Sequence, residues 1–197
     1  MQPPRPTNRA APGRLRIIAG TLRGSRIDVP AAPGLRPTTD RVRETLFNWL
    51  APVIAGARCL DLFAGTGALG IEALSRGARE CVFVERDRSL ARQIEDNLAR
   101  LKVAAGKVVC ADAASFLALT PSGFDVVFVD PPFDAGLWRD AAAQLERGWL
   151  NAQAWIHVES PVDVDLELPQ SWRPHREARA GGTRHALYRR VGPDPLS

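Results

Sequence analysis

Between residues 59 and 78 an apolar run stops at a cluster of glycines and then resumes with helical spacing, and no other stretch of the chain limits its fold as strongly. It reads as strand, tight loop, helix. Gly65, Gly67 and Gly70 fit G-x-G-x-x-G, a spacing in which glycines permit a sharp turn and close backbone approach while the helix start offers free N–H groups. Asp61 stands just before these glycines, and Glu85 ends a second apolar run twenty positions after Gly65. Together they describe a nucleotide-type pocket with two polar anchors.

The same alternation continues on both sides. Strands are expected over 57–63, 80–85, 107–110, 124–130 and 154–159, with helices over 68–76, 89–102 and 137–150 and a short one through Phe116, Leu117 and Leu119. Asp87 is placed to cap the helix that carries Leu90, Ile94, Leu98 and Leu101 on one face. Alternating strands and helices imply a parallel sheet covered on both faces through right-handed crossovers. From 173 to 190 two β-like runs meet at Gly181-Gly182, which predicts antiparallel strands at the sheet edge. Near the start, runs at 15–19 and 25–29 joined across 20–24 suggest a hairpin, too short to stand without a body to lean on. A turn-rich connector then leads to Thr38-Thr-Asp40, which can cap a helix with Val42, Leu46, Phe47, Trp49 and Leu50 facing a core.

The chain divides into a flexible basic and proline-rich start (1–13), the hairpin with its connector (14–37) and a main domain (38–192). At 197 residues and 45% hydrophobic content it can bury a full core. No uninterrupted apolar run of about 18 residues and no secretory signal are visible, so a soluble, cytoplasmic protein without a membrane partner is expected. Cys59, Cys81 and Cys110 are isolated in apolar runs and read as buried thiols, while His157, His175 and His185 lack metal-ligand spacing. No metal is expected. The net charge of +4 conceals an asymmetry: residues 1–43 carry nine arginines against Asp28 and Asp40, or +7, leaving −3 for the rest. A basic arm on a near-neutral body points to a polyanionic partner.

In an open α/β sheet the ligand sits beyond the carboxyl ends of the strands, and the chemistry-bearing residues fall at such ends. Glu85 can accept two hydrogen bonds from the vicinal hydroxyls of a ribose. Asp61 can hold a ligand ammonium or brace the glycine loop. Asp112 has two readings, acceptor for an adenine amino group or helix N-cap. Asp130-Pro131-Pro132-Phe133 is the sharpest signal. The Pro-Pro pair fixes two φ angles and removes two N–H donors, leaving carbonyls and one carboxylate as acceptors, a set that suits an exocyclic amine on a base, with Phe133 as a stacking face.

At these residues the chain resembles a known family. Asp61-Leu-Phe-Ala-Gly-Thr-Gly67 followed by Glu85 looks like the S-adenosylmethionine pocket of class I methyltransferases, and Asp130-Pro-Pro-Phe133 looks like the motif of those that methylate exocyclic amines. Arg16-Ile-Ile-Ala-Gly20, Arg23-Gly24 and Gly34-Leu-Arg-Pro-Thr-Thr-Asp-Arg-Val-Arg-Glu-Thr-Leu-Phe-Asn48 resemble the N-terminal signature of the bacterial 16S rRNA guanine-N2 methyltransferases that modify guanine 966. The resemblance covers residues 14–190. It implies a Rossmann-like, mostly parallel seven-stranded sheet of order 3-2-1-4-5-7-6 with an N-terminal hairpin extension. It also implies S-adenosylmethionine as cofactor, S-adenosylhomocysteine as product, and 16S rRNA in an assembled or assembling small subunit as partner. Cofactor contacts are then expected from Asp61, Phe63, Ala64, Gly65, Thr66, Gly67, Gly70, Glu85, Arg86, Asp112, Ala113 and Asp130. Catalysis falls to Asp130, Pro131, Pro132 and Phe133, and RNA contacts to Arg16, Arg23, Arg26, Arg36, Arg41 and Arg43. A monomer is expected.

Guanine N2 is a poor nucleophile, so orientation by Asp130 and the Pro131 carbonyl is the expected contribution, whether Asp130 takes the proton or water does. Two alternatives share parts of the pattern. A nicotinamide-dependent oxidoreductase would use the same glycines and Glu85 for a dinucleotide, and an adenine-N6 or other amino methyltransferase would use the same Asp-Pro-Pro-Phe motif.

Overall fold

The computed structural model describes residues 13–30, 39–133 and 136–192. Of the start expected to be flexible (1–13), all but Gly13 lies outside the described residues, as do 31–37 of the connector, with Arg36, and Thr38. A two-stranded antiparallel hairpin, β1 (Gly13–Arg16) and β2 (Arg26–Val29), precedes helix α1 (Asp40–Leu50), whose N-cap is Thr39. Then follow β3 (Arg58–Asp61), α2 (Ala68–Ser75), β4 (Glu80–Glu85), α3 (Arg88–Arg100), β5 (Gly106–Cys110), α4 (Ala113–Leu117), β6 (Phe124–Val129) and α5 (Trp138–Leu145). Three long strands close the chain: β7 (Leu150–Pro161), β8 (Trp172–Ala180) and β9 (Thr183–Arg190).

The main sheet runs β5-β4-β3-β6-β7-β9-β8. Counted from β3 this is the expected 3-2-1-4-5-7-6, parallel except where β9 pairs antiparallel with β7 and β8. One face is covered by α1, α2 and α3 around Phe47, Ile71, Phe83, Ile94 and Phe128; the other by α4 and α5 around Phe116, Trp138, Leu145 and Trp149. Helix α2 is buried along its whole length because the hairpin closes over it. The Glu72 carboxylate accepts the Ile18 and Ala19 amides at 2.9 and 3.1 Å, and Ser75 Oγ accepts the Leu22 amide at 3.0 Å. Asn97 of α3 exchanges two 3.0 Å hydrogen bonds with the Asp28 backbone. At Gly20, with φ of 84°, a Cβ would lie 1.8 Å from the Ser75 carbonyl oxygen, so only glycine lets the hairpin sit this close.

Three expectations need correction. The helix expected over 137–150 ends at Leu145, since Gly148 takes a φ of 98° and Trp149 turns inward to donate to the Leu117 carbonyl at 3.1 Å. The strand after it starts at Leu150 rather than 154 and runs to Pro161, lengthened by pairing with β6 and β9. Cys59 and Cys81 are buried, but Cys110 is exposed: it is the last residue of β5, the edge strand of the main sheet. Among the described residues no helix is long and apolar enough to cross a membrane.

Candidate active site

A cavity of about 990 Å³ opens beyond the carboxyl ends of β3, β4 and β6, where the strand order reverses between β3 and β6. Asp61, Phe63, Ala64, Gly65, Thr66, Glu85, Arg86, Asp112, Ala113 and the whole of Asp130-Pro-Pro-Phe133 line it. Residues separated by up to 72 positions in the sequence, Asp61 and Phe133, thus share one wall. Gly67 and Gly70 do not. Gly67, at φ of 75°, is the N-cap of α2, and Gly70 packs where a Cβ would meet Phe83 at 2.2 Å and Cys81 Sγ at 2.7 Å. Their work is to bring the loop and helix against the sheet.

The loop is held by its two carboxylates. Asp61 Oδ2 accepts the Gly70 amide at 3.0 Å. Burial pushes the Asp61 carboxyl up to about 7, opposed by that hydrogen bond and reinforced by the Glu85 charge. Asp61 therefore braces the loop and faces the cavity as well. Glu85 Oε2 accepts the Gly65 amide at 2.7 Å and its Oε1 the Asp87 amide at 2.8 Å. Both oxygens keep lone pairs for a diol. Asp112 is the N-cap of α4, its carboxylate accepting from the Ser115 amide at 2.9 Å and hydroxyl at 2.7 Å, which holds it below the ordinary carboxylate range. Arg86 and Asp112 are exposed at the rim.

Pro131 is buried, Pro132 exposed, and Phe133 half-buried with its ring 6.1 Å from that of Trp138. The Trp138 indole N–H donates to the Glu159 carbonyl at 2.7 Å, fixing α5 against β7 beside the motif. Desolvation pushes the Asp130 carboxyl well above the usual range, and the carboxylates of Glu159 and Asp61 push it the same way. The wall also carries Asp87 and Asp140. Such an acidic cavity favours a cationic ligand and opposes the pyrophosphate of a dinucleotide.

The expected RNA-contacting arginines divide. Arg16, Arg23, Arg26 and Arg41 are exposed, Arg16, Arg23 and Arg26 on or beside the hairpin and Arg41 on α1. Arg43 is a correction: it is fully buried, donating to the Arg16 carbonyl at 2.8 Å and to Asp40 at 2.6 Å, 3.9 Å from Glu72. It clamps α1 to the hairpin and has no surface to offer RNA. Arg36 lies outside the described residues.

Sequence spacing gave no sign of a cluster on β7 and β9. The antiparallel register sets Glu159 opposite His185, with His185 Nδ1 3.3 Å from Glu159 Oε2, and the His157 ring stacks on His185 at 5.9 Å. The period-two spacing of His157 and Glu159 puts them on one face of a strand, but only the pairing supplies His185.

Residues 15–189 match the model of a family described as Conserved hypothetical protein 95. The chain is 52% identical over 185 residues to the Ribosomal RNA small subunit methyltransferase D of Escherichia coli strain K12, covering 93% of each. It is 44% identical to the protein of the same name from Haemophilus influenzae, over 90% of this chain and 95% of that one. The solved structure of yhhF from Escherichia coli superposes with a TM-score of 0.83 at 51% identity, covering 91% of this chain and 99% of that one.

Proposed function

The chain belongs to the Conserved hypothetical protein 95 family, together with the small-subunit rRNA methyltransferase D proteins, and from that membership we propose that it transfers a methyl group from S-adenosylmethionine to the exocyclic N2 of a guanine in 16S rRNA. The observation that carries the reading is the meeting of Asp130-Pro-Pro-Phe133 with Glu85 and the glycine loop on one cavity wall.

The residues fit such a cofactor. Glu85 would take the ribose hydroxyls, Asp61 the amino-acid ammonium, and Asp112 and Ala113 the adenine side; the acidic wall suits a ligand bearing a sulfonium and an ammonium. When bound, S-adenosylmethionine supplies an electrophilic methyl group. The chain supplies orientation. The Asp130 carboxylate and the Pro131 carbonyl accept the two amine hydrogens, turning the nitrogen lone pair toward the cofactor side and stabilising the positive charge that develops on nitrogen. Phe133 offers a face for the guanine ring. Arg16, Arg23, Arg26 and Arg41 would contact phosphates outside the cavity, so that polyanion and cation occupy separate surfaces.

The test is methyl transfer from labelled S-adenosylmethionine to small subunits lacking the modification, with the product nucleotide mapped. Methylation of one guanine at N2 is expected, with an Asp130→Ala variant at least a hundredfold slower. Methyl label on adenine or on protein, or full activity in that variant, would overturn the assignment.

A further inference from the structure

Behind Asp130 the sheet buries a group of ionisable side chains that the proposed methyl transfer does not use. Val129 and Val158 are register partners on the parallel strands β6 and β7, so the next residue of each, Asp130 and Glu159, emerges side by side at the strand ends, and both line the cavity. On the other side of Glu159, β9 delivers His185, 4% exposed, with Nδ1 3.3 Å from Glu159 Oε2. Among the described residues Glu159 Oε2 and His185 Nδ1 have no hydrogen-bond partner in good geometry, and a proton on the imidazole would make the contact between them an ion pair.

We infer that Glu159 and His185 are a positioning pair for Asp130, in which the His185 imidazolium compensates the Glu159 carboxylate and thereby lets Asp130 stand ionised to accept the substrate amine. The inference rests on the amine-methylation reading of the site.

Two carboxylates at adjacent strand ends in a desolvated wall oppose each other's ionisation, and an opposite charge within about 4–6 Å relieves this. His185 is placed to supply it. The other groups around the pair do not. His157 stacks on His185 from β7, but burial holds it down to about 3, so it stays neutral. Asp61 faces Asp130 from β3 and Asp140 of α5 lies on the same wall; both add negative charge or none. Arg41 of α1 and Arg179 of β8 line a groove of about 420 Å³ on the far side of His185, and both are exposed to solvent. Arg43 of α1 is occupied by Asp40 and the Arg16 carbonyl, and lies beside Glu72. Among the described residues, His185 is the group within ion-pair distance of Glu159 that can take a positive charge.

The pair is tested by following the Asp130 carboxyl carbon through a pH titration by NMR in the wild type, His185→Gln, Glu159→Gln and the double variant. Methyl transfer to 16S rRNA is measured over the same pH range. His185→Gln is expected to raise the Asp130 titration by about one unit or more and to move the acid limb of kcat upward with it. Adding Glu159→Gln should bring both back to the wild-type position, a rescue that loss of packing would not give. The Asp130 titration should not rise in Glu159→Gln alone, which keeps the test sharp if the single histidine variant fails to fold. An unmoved titration in His185→Gln, an unrescued double variant, or a rise in Glu159→Gln would overturn the inference. Absence of methyl transfer by the wild type alongside the expected titrations would instead count against the proposed function.

Discussion

Glu72 Oε2 accepts the backbone N–H of Ile18 at 2.9 Å across 54 positions of sequence, and this contact makes a buried carboxylate of α2 the anchor of the N-terminal hairpin. The same side chain takes the Ala19 amide and an Arg76 hydrogen bond at 2.8 Å. Glu72→Ala leaves two amides and the Arg76 guanidinium without their acceptor and removes the negative charge 3.9 Å from buried Arg43. A loss of about 3–5 kcal/mol in urea denaturation is expected, with the hairpin becoming the first segment cut by limited proteolysis.

Glu85 belongs to the cofactor side. Glu85→Gln keeps the shape but offers one oxygen where two are needed, for the Gly65 and Asp87 amides as well as for a diol. Weakening of S-adenosylmethionine binding by roughly 10- to 100-fold is expected. Isothermal titration calorimetry would show it, and unchanged affinity would remove Glu85 from the ribose site.

Asp61 links stability to pH. Its carboxyl is raised from 3.8 to about 7 by burial, so between those values the folded chain holds a proton that the unfolded chain releases. The stability this group contributes is complete below the unfolded value and is lost as pH rises through about 7. Denaturation between about pH 5 and pH 8 should therefore show the wild type losing more stability than Asp61→Asn, which has no proton to release. A ligand ammonium beside Asp61 would favour the carboxylate, so cofactor binding near pH 6 should release a proton, detectable as a buffer-dependent binding enthalpy.

Arg41 and Arg43 stand two positions apart and should fail in different ways. Arg41 is exposed, so Arg41→Ala is expected to weaken binding to small-subunit rRNA and flatten its salt dependence while leaving thermal stability within about 0.5 kcal/mol. Arg43 is wholly buried, and Arg43→Ala should cost about 3–5 kcal/mol of folding stability.

Much of this was legible in the chain itself. The apolar runs, the glycine cluster and the Asp87 cap are local in cause, since backbone sterics, side-chain periodicity and capping act over a few residues. Hence β4 and α3 fall within a residue or two of their expected bounds, and the edge hairpin turns at Gly181-Gly182 as expected. The end of α5 was not legible, because it depends on Trp149 finding the Leu117 carbonyl 32 positions away. Nor was Arg43: its spacing among arginines reads as a charged helix face, and only the docked hairpin covers this one side chain while Arg41 stays exposed.

By itself, then, the sequence determined the order of elements, the parallel sheet and the residues at its strand ends, all consequences of short-range pattern. Tertiary structure decided which of those residues share a cavity and which arginines remain at the surface. It also set a histidine of β9 beside the carboxylate next to Asp130. Those outcomes depend on strand register and on packing between segments far apart in the chain, where desolvation and opposed charges, rather than local propensity, set what each side chain can do.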